Sequence, residues 1–396
     1  VRCMPKVLPL NGDDAAAYAM KQIDPDVVAA YPITPQTELM QSFSQFVADG
    51  SVQTELIVAE SEHSALSACV GACAAGGRVM TATSSQGLAY MWEILYIAAG
   101  YRLPIVMNVI NRTLSGPINI HCDHSDTMGA RDSGWLQIYG ENPQEAYDNT
   151  IQAVRIAEHK DLRLPVMCCM DGFITSHAVE RVELLDDDVV KDFVGEYVPT
   201  HPLLDIEHPV TYGPLDLYDY FFEHKMQEID AMSHAEAVVR EVSEEFGKIA
   251  GRRYSLLEPY AMDDAESAII VLSSTAGTTR ATVKAMRRAG KKVGMIKLRC
   301  FRPFPKDDMV RLLDGVKAVA VLDRSDGLGA YGAPVFNEVR NALFDEDFRP
   351  QIVNYVYGLG GRDIGQADIA KVYADLAEII STGKVKQRVR YLGVRE

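Results

Sequence analysis

Glu60 and Glu62 flank the start of a helix that is otherwise apolar or small-residued, in Ala59-Glu-Ser-Glu-His-Ser64. A carboxylate at the mouth of such a helix is costly unless it caps backbone groups or exchanges a proton with something bound beside it. The simpler reading gives both glutamates only a favourable first-turn charge. Three further segments can face the same place. Tyr31-Pro-Ile-Thr-Pro35 leaves a short apolar strand, and its two prolines fix the backbone around Thr34. The Thr34 hydroxyl then sits at the carboxyl end of that strand, where ligands bind in open α/β sheets. Thr81-Ala-Thr-Ser-Ser-Gln-Gly-Leu88 is a turn of small residues that permits close approach by a ligand. Asn111-Arg112-Thr113 ends a strongly apolar strand with a guanidinium, which clamps a carboxylate through two parallel hydrogen bonds where a lysine cannot. Taken singly, Thr34 also fits a turn cap and Arg112 a surface or interface salt bridge.

The elements that must position these residues alternate between short apolar runs and longer helical patterns, which predicts an α/β fold on largely parallel sheets. Helices are expected at 12–23, 37–49, 61–75, 87–98 and 142–159, and strands at 27–31, 56–59, 79–82, 105–109 and 165–170. From His177 to about Glu258 the texture changes. Pro199, Pro202, Pro209 and Pro214 punctuate a stretch rich in Asp, His and Tyr, and a long charged helix follows at about 218–249. Such a stretch is either an excursion around a neighbour or a connector. A second series then begins, with strands at 267–272, 292–297, 318–322 and 352–357 and helices at 278–289, 306–313 and 334–343. The boundary falls near 255–265, giving one domain of 1–258, with 177–258 as its excursion, and a smaller one of 259–396.

A chain of 396 residues exceeds one ordinary core. Its 47% apolar and 24% charged residues are those of a globular protein. The most apolar stretch, around 91–110, is broken by Glu93, Gly100, Arg102 and Pro104, short of the roughly 18 residues that suggest a membrane span. Arg2 and Lys6 precede no long apolar run, so no secretory leader is expected. A net charge of −16 disfavours nucleic acid, though it leaves room for a local basic pocket. Seven scattered cysteines, with no C-x-x-C pair, predict neither a zinc nor an iron–sulfur site and fit a reducing, cytoplasmic compartment. Cys69 and Cys73 read as small core residues of one helix, and Asp186–Asp188 as a solvated loop or helix start. Gly327–Gly332 fits G-x-G-x-x-G, but no acidic residue follows about twenty positions later to hold a ribose. It reads as a tight turn before a helix, and Gly358-Leu-Gly-Gly-Arg362 as an interface loop.

Together, Tyr31–Pro35, Ala59–Ala65, Thr81–Leu88, Leu103–Arg112, Cys122–Trp135 and Gly358–Ile364 closely resemble the α subunit of 2-oxoacid:ferredoxin oxidoreductases, particularly the pyruvate enzyme of separate-subunit type. The similarity runs from Asn11 to about Ala374. It implies a pyrimidine-type thiamine diphosphate domain followed by a transketolase C-terminal-like α/β domain. It implies coenzyme A-dependent oxidative decarboxylation of a 2-oxoacid, with electrons passed to ferredoxin. By the same resemblance Glu62, rather than Glu60, meets the cofactor's pyrimidine, Tyr31, Pro32, Ser85 and Gln86 line the cofactor, and Thr34 and Arg112 hold the substrate. His121, Asp123, His124 and Asp126 look like metal ligands by composition, yet the resemblance places them in a family loop, and they are read as a structural or active-site loop. The chain has no Gly-Asp-Gly triplet to carry diphosphate and magnesium and no ferredoxin-type cysteine run. A β subunit is therefore expected to supply the diphosphate and Mg2+ contacts, with [4Fe–4S] clusters on ferredoxin-like γ and δ subunits, in a dimer of hetero-oligomers. Thr34, being uncharged, favours a monocarboxylate such as pyruvate over 2-oxoglutarate or oxalate. Branched-chain and aromatic 2-oxoacids such as phenylglyoxylate remain alternatives, as does a non-catalytic scaffold that docks an electron-transfer partner.

Overall fold

The computed structural model describes residues 6–395, so Arg2 and Cys3 lie outside the described residues. In chain order the first series runs β1 Lys6–Leu10, α1 Gly12–Ile23, β2 Val27–Ala30, α2 Thr37–Ala48, β3 Glu55–Val58 and α3 Glu62–Ala75. It continues with β4 Val79–Thr83, α4 Ser85–Tyr90, α5 Trp92–Gly100, β5 Val106–Asn111, α6 Ser125–Gly129, β6 Leu136–Gly140, α7 Pro143–Ala157 and β7 Val166–Asp171. The excursion holds β8 Glu180–Leu184, α8 Asp187–Val194 and the long α9 Phe221–Ala250. The second series is β9 Leu257–Tyr260, β10 Ser267–Val271, α10 Thr275–Arg288, β11 Val293–Leu298, β12 Cys300–Arg302 and α11 Lys306–Leu313. It closes with β13 Ala318–Asp323, α12 Pro334–Ala342, β14 Gln351–Tyr357, α13 Gln366–Thr382 and β15 Val389–Leu392.

Local chemistry sets several of these ends. Asn11 caps α1 by accepting the Asp14 N–H at 2.7 Å, and Ser61 caps α3 through the Ser64 N–H. Asn142 caps α7, with Pro143 at the first helical position, where a missing N–H costs nothing. The sheets are those of a doubly wound α/β protein. The first has the order β12-β6-β7-β5-β4-β2-β3 and is parallel except for β12. The second has the order β15-β14-β13-β10-β11-β9 and is parallel except for β9. A two-stranded antiparallel pair, β1 with β8, stands apart.

Some boundaries differ from those expected. The single helix at 87–98 is two, α4 and α5, divided at Met91. Strand β6 was not anticipated, because five residues with Gln137 at their centre carry little local signal. Strand β12, three residues from the second series, exists only by pairing with β6 across Cys300 and Ile138. Cys69 and Cys73 are buried on α3, where burial pushes both thiols up to about 12 and leaves them inert. The Gly327–Gly332 turn does precede a helix, but Asp323 already accepts the Val335 and Phe336 N–H groups at its start. A phosphate would find those donors taken.

The two sheets meet through a continuous apolar core that includes Met107, Trp135, Tyr139, Ile270 and Phe301. Buried charge crosses the same junction. Asp171, at the end of β7, receives Arg324 Nη1 at 3.0 Å and pairs with His124 Nε2 at 2.7 Å, and Ser274 donates to it as well. Burial alone would raise this carboxyl; His124 and Arg324 outweigh it and hold the carboxyl well below its usual range. Removing one partner of a buried pair strands the other charge. Arg324→Ala is therefore expected to lower unfolding free energy by about 3–5 kcal/mol. Adding Asp171→Asn should recover part of that loss in a double-mutant cycle read by denaturant unfolding; strict additivity would show the pair is not coupled.

Candidate active site

Strands β3, β2, β4 and β5 are neighbours and run parallel, so the loops after their carboxyl ends converge on one edge. These loops bring Thr34, Glu62, Ser85, Gln86 and Arg112 to that edge. Gln36 pins the first of them: its side chain donates to the Ala82 carbonyl at 3.1 Å and accepts the Ile33 N–H at 3.2 Å. Tyr31, Pro32 and Thr34 are exposed on this loop.

Glu62 opens α3 and is 8% exposed. Its side chain lies against Gly87. A β-carbon on Gly87 would stand 2.9 Å from Glu62 Cγ and Oε1 and 2.4 Å from Thr83 Oγ1, so only glycine lets α4 begin this close to the carboxylate. Glu60 differs: it is exposed, and Ser64 donates to its carboxylate. In the turn that leads to Gly87, the buried Thr83 Oγ1, Ser84 Oγ and Gln86 Nε2 have no hydrogen-bond partner among the described residues, and Thr83 Oγ1 lies with Glu62 around Gly87. Buried polar groups are nearly always paired, so such a cluster suits a polar bound molecule or a neighbouring chain that completes the bonds. A nitrogen heterocycle with both donors and acceptors fits this set.

Asp126 organises the edge from behind. Its carboxylate accepts the N–H groups of Ser85 at 3.1 Å, Arg112 at 3.0 Å and Thr127 at 2.8 Å, and Asn111 Nδ2 at 2.9 Å. Ser85 sits in the left-handed region, with φ of 47°, and its hydroxyl lies 2.6 Å from the Thr113 carbonyl. Ser85 thus spends its polar groups inside the protein. Arg112 donates Nη1 to the Thr34 carbonyl at 2.9 Å and Nε to the Asn119 carbonyl at 3.0 Å, which joins the two substrate candidates directly. Asn119 in turn donates to the Gly360 carbonyl at 3.1 Å. Gly361 has φ of 82°, and a β-carbon there would stand 2.3 Å from His121 Cβ. The second series therefore braces the loop that aims Arg112.

Gln36 and Asn119 escape sequence reading as site-building residues, since each acts through a partner distant in sequence, while Asp126 falls in the stretch read as a structural or active-site loop. The four His and Asp residues of 121–126 do not form one cluster: His124 pairs with Asp171, Asp123 accepts from Ser125, and Asp126 serves the hub. Ligand atoms of Cys122, His124 and Asp171 do lie within 4.8 Å of one another, but the Arg324 guanidinium already neutralises Asp171. A cavity of about 680 Å³ lies elsewhere, between α5 and the excursion, lined by Tyr96, Tyr101, Tyr212 and Phe221 among others. The Glu62 site is an edge, and no part of that cavity.

Residues 18–244 match the family described as pyruvate flavodoxin/ferredoxin oxidoreductase, thiamine diP-bdg, and residues 265–369 match pyruvate:ferredoxin oxidoreductase core domain II. A solved 2-oxoglutarate:ferredoxin oxidoreductase from Magnetococcus marinus is similar at a TM-score of 0.66 and 20% identity, over 95% of this chain and 66% of that one. A split-gene transketolase is similar at 0.54 and 9% identity, over 94% and 99%. Fold and matched families together define the class: a thiamine diphosphate-binding domain followed by a transketolase C-terminal-like domain. Pyruvate synthase subunit PorA of Thermotoga maritima is 57% identical, over 98% of both chains. Its namesake in Methanocaldococcus jannaschii is 46% identical over 96% of this chain and 97% of its own. Ketoisovalerate oxidoreductase subunit VorA of Pyrococcus abyssi is 40% identical over 96% of each. The chain belongs to the 2-oxoacid:ferredoxin oxidoreductases, as an α subunit of the PorA type.

The Asp126 carboxyl carries a pH signature. Burial, against the opposing hydrogen bonds, pushes it from 3.8 up to about 6. Between those values unfolding releases a proton, so rising pH removes the stability this group contributes below 3.8. The unfolding free energy of the wild type minus that of Asp126→Asn is expected to decline from about pH 4 to about pH 7, by about 3 kcal/mol at most. A difference that stays flat or rises would mean the carboxylate is ionised throughout.

Proposed function

We propose that this chain is the pyrimidine-binding subunit of an enzyme that converts pyruvate and coenzyme A to acetyl-CoA and carbon dioxide and passes two electrons to ferredoxin. The observation that carries the reading is the buried Glu62 packed at Gly87, in the turn whose Thr83, Ser84 and Gln86 groups are unpartnered, in a chain 57% identical to a pyruvate synthase subunit. Bound there, thiamine diphosphate supplies the electron sink that lets carbon dioxide leave a 2-oxoacid. Glu62 holds and exchanges a proton at a ring nitrogen of the pyrimidine, with Gly87 and Thr83 walling it on the protein side. Gln86, Tyr31 and Pro32 complete the cofactor's walls, and Ser85 fixes the backbone between them. Arg112 and Thr34 hold the substrate carboxylate: Nε and Nη1 are anchored on backbone carbonyls, which leaves the outer face of the guanidinium for the anion.

Residues 1–258 form the pyrimidine-binding domain and 259–396 the bracing one. Exposed Tyr31, Val58, Tyr90 and Trp92 on the loops and helices around Glu62 support coverage of this edge by another subunit. We assign to that β subunit the diphosphate and Mg2+ contacts, because this chain has no Gly-Asp-Gly triplet. The [4Fe–4S] clusters fall to ferredoxin-like γ and δ subunits, in a dimer of hetero-oligomers. No helix among the described residues is long and apolar enough to cross a membrane, and the described cysteines are free thiols, which supports work in the cytoplasm.

The test is the complex co-purified from its host, assayed with pyruvate, 2-oxoisovalerate and 2-oxoglutarate and a viologen dye as acceptor. Pyruvate should give the highest kcat/KM; preference for 2-oxoisovalerate would move the assignment to the branched-chain enzyme. Within that complex Glu62→Gln should lower kcat by about 10²-fold or more, and Glu60→Gln far less. The reverse ranking would show that the wrong carboxylate was chosen.

Arg112→Ala should reduce kcat/KM by about 2–5 kcal/mol, and Thr34→Val by about 1–3 kcal/mol, with thiamine diphosphate content unchanged in both. Loss of cofactor content in step with turnover would instead place Arg112 on the diphosphate or the interface.

A further inference from the structure

Three side chains outside the groups assigned above converge from three elements: Asp13 in the first turn of α1, Glu38 in the first turn of α2, and His177 in the turn after β7. One ligand atom from each lies within 4.8 Å of the other two. Asp13 is fully buried, and neither of its carboxylate oxygens has a hydrogen-bond partner among the described residues. Its place at a helix start does not account for it. Asn11 already caps α1, and the Gly12 and Asp13 N–H groups go to the Thr175 and Ser176 carbonyls at 3.0 and 3.1 Å.

Direct pairing with His177 does not account for it either. His177 Nδ1 is 3.7 Å from Asp13 Oδ2, and Nε2 is 3.6 Å from Glu38 Oε1, both beyond hydrogen-bond length. Two ligands that each stand about 2.0–2.2 Å from one ion are about 3–3.7 Å apart. The separation of Nε2 from Glu38 Oε1 falls in that range, and one Asp13 carboxylate oxygen lies within 4.8 Å of the other two ligand atoms. Ser176 Oγ, 2.7 Å from Nδ1, orients the ring; with Nδ1–H donating to it, Nε2 presents its lone pair to a metal. We propose that Asp13, Glu38 and His177 form a site for one divalent transition metal of the zinc type, with its remaining positions open to water. An imidazole with two carboxylates favours such a metal over Mg2+ or Ca2+, which prefer all-oxygen shells. Glu38 is half-exposed and His177 partly so, which gives the ion a way in. Bound there, it would tie the starts of α1 and α2 to the turn in which Gly172 packs on Pro35, next to Thr34.

The full chain, stripped with a chelator, is titrated with Co2+ as a spectroscopic stand-in for Zn2+. About one equivalent should bind with visible d–d absorption, be displaced by Zn2+ and resist Mg2+. Asp13→Asn, His177→Gln and the half-exposed Glu38→Gln should each weaken binding about tenfold or more. Circular dichroism and melting of the metal-free Glu38→Gln chain should match the wild type, which separates lost ligation from lost folding. Binding that shows thiolate-to-metal charge transfer and survives His177→Gln would place the ion on cysteines and overturn the proposal. Absence of stoichiometric binding, or equal binding by all three variants, would overturn it as well.

Discussion

One buried carboxylate, Asp126, holds the functional edge in register. Donors from the start of α4, the end of β5 and the start of α6 all end on its two oxygens. Taking a carboxylate out of water is expensive, and only neutral donors offset the loss here, so its proton is retained further up the pH scale than usual. The arrangement is worth that cost because it fixes two backbone directions at once. Ser85 is kept in a left-handed conformation that a non-glycine residue seldom adopts, and the chain at Arg112 is turned so that its side chain reaches Thr34. Without this hub the small-residue turn and the arginine strand end would share an edge but no common geometry.

The second domain works as a brace on the same loop. Asp171 is as buried as Asp126, yet its carboxyl is shifted the opposite way, because a guanidinium and an imidazole face it where Asp126 meets only amides. Lys297 repeats the device, pairing with Glu141, Glu145 and Glu258. Such clusters gain little net stability over an apolar junction, but they penalise every misaligned docking of the two sheets. Alignment matters because Gly360 and Gly361 must meet Asn119 and His121 at distances no side chain tolerates. Through Asn119, the position of a loop more than two hundred residues away sets the aim of Arg112.

The strand–helix alternation was legible because each run reports its own periodicity, and so the carboxyl-end loops with Thr34, Glu62 and Arg112 could be read as one edge. What stayed illegible is non-local. Strands β6 and β12 are defined by each other, and Asp126 looked like any acid in a stretch of His and Asp. The partner of Asp171 lies 153 residues on, and no spacing rule marks it. Composition suggested a metal at 121–126, whereas folding sends those side chains to different tasks. Glu60 and Glu62 were equivalent by local pattern; what separates them in the fold is Gly87, whose missing side chain makes room for only one of them.

That difference between two glutamates bears on the chemistry. A carboxylate that must share a proton with a weakly basic ring nitrogen works best where water does not compete and the local dielectric is low. Glu60 is held by Ser64 in solvent and cannot meet that condition. Glu62 meets half of it, walled by Gly87 and Thr83 on the protein side while the neighbouring Thr83, Ser84 and Gln86 groups still lack partners. Closure on the other side has to come from a surface this edge does not contain. Proton exchange, substrate clamping and their alignment reside in this chain, and exclusion of water depends on what docks against it.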